Sequence, residues 1–376
     1  MTDAHRSHLA GRLPAAWRGT FRQVPRHAFI PDTVWIRGGD GRPVALRRVD
    51  DPERWLEACY DDAPIAVQLD DGANTGAGYV SSTASMPTVI AQMLDAAELA
   101  PGLRTLEIGT GTGYNAALLA SVVGTEYVTT IEIDAALANQ AVAALESTGW
   151  PVTVITGDGE KGYPENAPYD RVMATAAIHT VPHAWVEQTR PGGLVIAPFS
   201  TTFHSGALAR LRVADDGTAS GCFGGDAAFM WTRAQRAPHG AVEDRVRPHH
   251  ETTARTTGLH PYEPIGDFDA SFAIGLLVPA MTATTVFDGD DSRSGSYTVY
   301  LMDPYAGSWA SWRIEPGPRE YAVRQHGPRR LFDELESAFT WWEGADRPAH
   351  ARFGITVTPG GQSLWMDSPE STLGAT

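Results

Sequence analysis

The chain has 376 residues, 43% hydrophobic and 20% charged, an ordinary globular composition but too long for one average domain. Asp and Glu number 45 against 29 Lys and Arg, a formal charge of −16, and no Lys/Arg-rich run interrupts the acidic background, so no nucleic-acid partner is expected. No apolar run approaches the roughly 18 residues of a membrane span. The first residues lack a signal-peptide core, and two cysteines, Cys59 and Cys222, cannot build a disulfide framework; no membrane contact and a cytoplasmic location are the expectation.

In chain order, short helices are expected around residues 8–24, and 24–31 reads as a proline-bounded turn. Residues 66–82 are rich in Gly, Asp, Asn, Thr and Ser, the chemistry of a lid or binding loop, and residues 1–84 read together as an N-terminal helical segment with a substrate loop. A helix is predicted over 87–99, from apolar Val89, Ile90, Met93, Leu94 and Ala97, with Ser85 as N-cap. Strand 105–108, helix 114–123, strand 127–133, helix 135–147, strands 152–156 and 171–176, helix 182–189 and strand 194–198 follow. That alternation implies a doubly wound, Rossmann-like α/β sheet covered on both faces, in a domain spanning 85–233.

The alternation fades after residue 200, with one more strand predicted at 208–213. Residues 234–265, rich in Pro, His, Arg and Thr, read as a linker. Beyond it, 272–278, 296–302, 311–314, 352–358 and 363–366 read as strands and 331–342 as an amphipathic helix, giving an additional C-terminal α+β domain over 266–376.

The segment Glu107-Ile108-Gly109-Thr110-Gly111-Thr112-Gly113 carries the first chemical signal. Glycines after a buried strand let the backbone turn tightly and approach a ligand. The spacing is G-x-G-x-G, where a nicotinamide-type fingerprint needs G-x-G-x-x-G. The preceding acid, Glu107, would repel a pyrophosphate but suits the cationic methionyl group of S-adenosylmethionine. Glu132 ends the next strand, where a carboxylate can bridge ribose hydroxyls, and Asp158 in Gly157-Asp158-Gly159 follows the third, where it can accept from an adenine amine. Three acids in order on consecutive strands predict an S-adenosylmethionine site, with Thr110 and Ile133 beside them. His179 and His183 lack a carboxylate or cysteine set, and Pro182 interrupts any helix joining them; no metal is expected. Cys59 has no evident activating base and is expected buried and inert.

Several motifs together resemble the protein-L-isoaspartate O-methyltransferase family: Tyr60-Asp61-Asp62-Ala63-Pro64, Ser85-Met86-Pro87 heading a helix, the run from 106 to 119, Gly157-Asp158-Gly159, Ala167-Pro168-Tyr169-Asp170 and Pro191-Gly192-Gly193. The resemblance covers about residues 15–200 and implies a class I S-adenosylmethionine-dependent methyltransferase fold. It also implies methyl transfer to the free carboxylate of an isoaspartyl peptide. Carried over by position, it makes Ser85 the hydroxyl that contacts the acceptor carboxylate. Thr83 and Ala176 are expected on the acceptor side as well, and His179, after the fourth strand, lies close to where an acceptor would enter. Glu107, Gly109, Gly111, Glu132 and Asp158 would hold the cofactor.

Two departures point to a finer resemblance. The loop over 68–84 is enlarged, and the C-terminal unit carries Trp309, Trp312, Trp341, Trp342 and Trp365. Both look like the actinobacterial relatives that tailor ribosomally made peptides (graspetides, lanthipeptides, lasso peptides). Those relatives esterify one aspartate of a constrained, macrocyclised precursor, and the ester closes to an aspartimide. General isoaspartyl repair, a small-molecule methyltransferase and a non-catalytic S-adenosylmethionine- or peptide-binding protein are the alternatives. The sequence leaves the oligomeric state open.

Overall fold

The computed structural model describes residues 2–39, 43–73, 78–238, 240–289 and 295–374. It begins with helices α1 (Thr2–Arg12) and α2 (Arg18–Gln23), followed by β1 (Thr33–Arg37), β2 (Pro43–Arg47), α3 (Pro52–Tyr60), β3 (Ile65–Leu69) and β4 (Val80–Ala84). The four strands form an antiparallel sheet in the order β2-β1-β3-β4. Seven of the seventeen residues of the structureless stretch expected over 66–82 are therefore strand, 66–69 in β3 and 80–82 in β4. Ile65, Ala66 and Val67 are apolar and buried, and this short run was masked by the polar residues after it. Residues 74–77 of the expected loop lie outside the described residues.

The alternating series follows as α4 (Pro87–Ala96), β5 (Thr105–Ile108), α5 (Tyr114–Val123), β6 (Val128–Glu132), α6 (Ala135–Ser147), β7 (Thr153–Thr156), β8 (Tyr169–Ala174), α7 (His183–Glu187) and β9 (Thr189–Phe199). Strands β5 to β9 are parallel. The chain steps outward from β5 through β6 to β7, then returns to the other side of β5 for β8 and β9. This reversal opens a crevice at the carboxyl ends of β5, β6 and β8, where ligands bind in open α/β sheets. Phe21, Val24 and Phe29 of the N-terminal layer share one core with the buried faces of α4 and α5. The sheet continues antiparallel through β10 (Ala207–Val213) and β11 (Ala219–Asp226).

The remaining elements are α8 (Val242–Arg245), β12 (Thr253–Thr257), α9 (Phe268–Leu277), β13 (Thr282–Phe287), β14 (Tyr297–Met302), β15 (Trp309–Ile314), β16 (Tyr321–His326), α10 (Leu331–Gly344), β17 (Phe353–Thr358) and β18 (Gly361–Met366). Strands β13 and β16 were not expected, and three further features differ from expectation. The stretch 253–257, read as linker, is an edge strand of a five-stranded sheet ordered β12-β16-β15-β14-β13, since its threonines suit a half-solvated strand. The run 272–278, read as strand, belongs to helix α9. Every residue from Ala270 to Leu276 is buried, so no amphipathic period was visible, and the helix is capped by the Asp267 carboxylate accepting from Ala270 N at 2.9 Å. Strands β17 and β18 leave the C-terminal unit and pair onto β11, making a nine-stranded sheet ordered β18-β17-β11-β10-β9-β8-β5-β6-β7.

A single apolar cluster runs from Ile178, Phe199 and Phe223 through Phe272 to Trp312, Phe332 and Phe353, so the C-terminal unit is fused to the central sheet. Most of the tryptophans considered as peptide anchors are inside the protein: Trp309, Trp312, Trp342 and Trp365 are buried, and only Trp341 of the five, 37% accessible, faces solvent. No helix among the described residues is long and apolar enough to cross a membrane.

Candidate functional site

An open cleft occupies the crevice. Its floor is the glycine turn. Gly109 adopts φ +94°, and a Cβ there would lie 2.8 Å from Thr175 Oγ1, so neither the backbone nor the space admits a side chain. Glu132, at the end of β6, is held by two backbone donors: Oε2 accepts from Gly111 N at 2.8 Å and Oε1 from Asp134 N at 3.1 Å. Burial raises its pKa while those N–H groups oppose the shift, which leaves an oriented acceptor in the cleft wall. Asp134 caps α6, accepting from Ala136 N at 2.9 Å and Leu137 N at 3.2 Å. Ile133 presents a half-exposed apolar surface to the cleft. Asp158 and Gly159 close the far side, and Gly159 is pressed so tightly on β5 that a Cβ would stand 2.5 Å from Ile108 Cγ2.

Thr110, Ala176, Thr83 and Ser85 also line the cleft, so most of the residues singled out in the sequence meet there. Glu107, Gly113, Gly157 and His179 do not reach the cleft wall. Glu107 is fully buried beneath the turn, accepting from Asn115 Nδ2 at 2.7 Å and Thr130 Oγ1 at 2.6 Å, and burial lifts its pKa to about 7. Strand β5 is buried on both faces, and its pleat turns Glu107 into the interior; Asn115, which bonds it, lines the cleft. His179 sits behind the wall, its ring 5.7 Å edge-on from that of Trp231, which does line the cleft. Cys59 is buried and its thiol is pushed up to about 12 by burial.

Ser85 does not cap α4. Met86 holds the N-cap position without a side-chain bond, and the capping carboxylate comes from Asp62, which accepts from Thr88 N at 2.9 Å. The Ser85 segment is fixed from below by Arg26, a fully buried guanidinium on the expected proline-bounded turn. It donates to the carbonyls of Cys59 (3.0 Å), Asp61 (3.0 Å), Ala63 (3.1 Å), Ala84 (3.2 Å) and Ser85 (2.9 Å). No carboxylate pairs with it in these contacts; its charge is met by carbonyl dipoles, and burial lowers its pKa.

The sequence reading also missed a wall. After β11, residues 229–236 fold across the cleft, bringing Phe229, Met230, Trp231, Arg233 and Arg236 into it. Trp231 bridges to Ala177, Gln235 Oε1 accepts from the backbone of His179 at 2.8 Å and Thr180 at 2.9 Å, and Gln235 Nε2 donates to Glu160 at 2.8 Å. Trp231 amid small polar residues was the available signal; assigning 234 onward to a linker concealed it.

The model of the family described as protein-L-isoaspartate(D-aspartate) O-methyltransferase (PCMT) matches residues 46–226. A protein-L-isoaspartate O-methyltransferase of Staphylothermus marinus is 39% identical over 172 residues, 44% of this chain and 72% of that protein. The chain belongs to the protein-L-isoaspartate O-methyltransferase family. The Ignicoccus hospitalis member is 43% identical over 149 residues, 39% of this chain and 65% of its own length. With the Hyperthermus butylicus member the match spans 66% of that protein, so the chain covers slightly under two thirds of these last two relatives. A solved protein-L-isoaspartate O-methyltransferase, 21% identical, shares the fold at a TM-score of 0.54 over 98% of this chain and 100% of its own. The fold is that of a class I S-adenosylmethionine-dependent methyltransferase with an extra, β-rich C-terminal unit, and the likeness extends through that unit.

The cofactor of this family is S-adenosylmethionine, and the cleft fits it. Asn115 Oδ1 and Tyr114 Oη, on residues lining the cleft, are buried with no hydrogen-bond partner among the described residues. An amide oxygen of that kind accepts from an ammonium group, the oriented Glu132 carboxylate accepts from a hydroxyl pair, and Ile133 offers an apolar face to a flat ring.

Proposed function

We propose that this protein is an S-adenosylmethionine-dependent O-methyltransferase acting on the carboxylate of an isoaspartyl or aspartyl residue in a peptide or protein. The observation that carries the reading is one cleft joining two walls of different chemistry. One side offers the glycine turn with the fixed Glu132 and Asp158; the other offers the hydroxyls of Thr83 and Ser85 on a segment anchored by buried Arg26. Glu132, Asp158, Ile133 and Asn115 would hold the cofactor, which when bound supplies an electrophilic methyl group carrying its own leaving group.

The chain then has little proton transfer to perform. A carboxylate is already ionised near pH 7, so no general base is required. Ser85 donates a hydrogen bond that aims one carboxylate oxygen, and the 229–236 segment walls the cleft opposite it. Positioning of this kind can contribute on the order of 7–11 kcal/mol to barrier reduction.

A finer reading, methylation of one aspartate in a constrained precursor peptide followed by aspartimide closure, draws support from the β3–β4 connection, which ion-pairs with the 229–236 segment over the cleft. In that reading the following backbone amide nitrogen attacks the ester carbonyl, expelling methanol. Incubation with S-adenosylmethionine and two peptides, a linear isoaspartyl peptide and a macrocyclic aspartyl peptide, separates the cases by mass. A gain of one methyl on the linear peptide supports repair-type chemistry; methylation or net loss of water on the macrocycle alone supports tailoring. S-adenosylhomocysteine binding without product from either would overturn both in favour of a binding protein.

A further inference from the structure

The connection between β3 and β4 meets the 229–236 segment chiefly through the Asp71 carboxylate, with Tyr79 beside it. Arg236 grips Asp71 with both terminal nitrogens, Nη1 to Oδ2 at 2.8 Å and Nη2 to Oδ1 at 3.1 Å. Arg233 Nε lies 3.1 Å from the same Oδ1, and the Tyr79 hydroxyl donates to Oδ2. The Arg236 guanidinium also stacks 5.2 Å from the centre of the Tyr79 ring. These contacts hold Asp71 well below the usual carboxylate range, at about 2, the Arg236 hydrogen bond foremost, so it stays ionised. The loop is strained where it does this: Asp70 at φ +50° and Asp71 at φ +54° occupy the left-handed region consecutively.

Arg236 faces two ways. It lines the cleft, and with Arg233 it supplies the only Lys or Arg side chains there among the described residues; the other charged groups on the wall are the acids Glu132, Asp158 and Glu160. An acceptor carboxylate entering such a cleft is repelled by the acids and needs a cation. A guanidinium fork is shaped for a carboxylate, and Asp71 fills it in the form described here.

We propose that Arg236 is the binding group for the acceptor carboxylate, and that Asp71 is an internal stand-in displaced when a peptide carboxylate takes over the fork. The inference rests on the proposed methyltransferase reading. The exchange leaves no orphan cation, because Arg236 is paired before and after. Releasing Asp71 relieves the consecutive left-handed residues Asp70 and Asp71, so acceptor entry and release of that turn become one event. A neutral amide in place of the acceptor carboxylate cannot compete with Asp71, which makes the exchange a filter for charge.

The test is calorimetric binding, with S-adenosylhomocysteine present, of an isoaspartyl peptide and of the same peptide with that carboxylate replaced by carboxamide. The full-length wild type, Arg236→Gln, Arg236→Lys and Asp71→Asn are compared. Wild type should prefer the carboxylate by about tenfold or more, the usual size of a charge-assisted hydrogen-bond pair. Arg236→Gln should lose that preference, Arg236→Lys should keep part of it, and Asp71→Asn should bind the carboxylate peptide more tightly than wild type. Full preference in Arg236→Gln, or weakening by Asp71→Asn, would overturn the proposal; if Arg236→Gln does not fold, Asp71→Asn decides. Methyl transfer by wild type on the same peptide separates the two readings. Arg236-dependent binding without transfer sinks the enzymatic reading alone, whereas transfer with an unchanged KM in Arg236→Gln sinks this one.

Discussion

Replacing Arg26 by methionine keeps the volume of the stem and removes a buried cation that five backbone carbonyls share, at 2.9–3.2 Å. Hydrogen bonds to a charged donor contribute about 1.5–3 kcal/mol each, but burying a guanidinium costs several kcal/mol, and the five bonds act as one unit. Deleting one side of a buried charged network typically costs about 3–5 kcal/mol, so a loss near 4 kcal/mol is expected. At about 2 °C per kcal/mol for a large cooperative unit, the melting temperature should fall by roughly 8 °C. Lysine lacks the planar fork and should recover only part of that loss. Differential scanning calorimetry of wild type, Arg26→Met and Arg26→Lys measures it. Since Ala84 and Ser85 lose their anchor, KM for the acceptor should rise more than KM for the cofactor. A methionine variant melting within about 2 °C of wild type would show that the carbonyls are satisfied without Arg26, and the reasoning would fail.

Three further outcomes are expected. Burial lifts the Glu107 carboxyl from 4.5 to about 7 in the folded chain, so the folded state binds its proton more tightly; that stabilisation is full below about pH 4.5 and is lost, by about 3 kcal/mol, as pH rises through 7. Denaturant melts should show this slope in wild type and a flatter one in Glu107→Gln, and identical profiles would refute the assignment. Gly159→Ala puts a methyl group 2.5 Å from Ile108 Cγ2, which should shift the Asp158 loop and weaken S-adenosylhomocysteine binding by about tenfold in equilibrium dialysis. Trp312→Ala, in the shared core, should cost about 3–5 kcal/mol in chemical denaturation, whereas Trp341→Ala, partly exposed, should cost about 1 or less.

The parallel half was legible because its strands and helices differ in period and a glycine turn marks the first crossover. Glu132 and Asp158 could be placed at the cleft because each follows a strand. Glu107 was misplaced for a physical reason: a strand buried on both faces has no polar alternation, so its pleat register cannot be read. Helix α9 failed alike, since an apolar run without a polar face has no visible period. Arg26 and the 229–236 wall were illegible because their partners are distant, Arg26 bonding carbonyls up to 59 positions away. For β17 and β18 the pattern announced strands but carried no information about which sheet they join.

The return of those two strands to β11 bears on how the chain can be made. Ala219 pairs with Val357, so the edge of β11 stays uncovered until residue 357 has left the ribosome. An unpaired edge beside Phe223 and Phe272, still lacking Phe353, is a template for association between nascent chains. Completion of the nine-stranded sheet thus waits on the unit inserted before it, and that insertion becomes a timing element in biogenesis. A recombinant core cut after residue 233 should be recovered as aggregate rather than as a smaller enzyme. Trimming such a protein to its minimum means deleting the insertion between β11 and β17 and rejoining the strands.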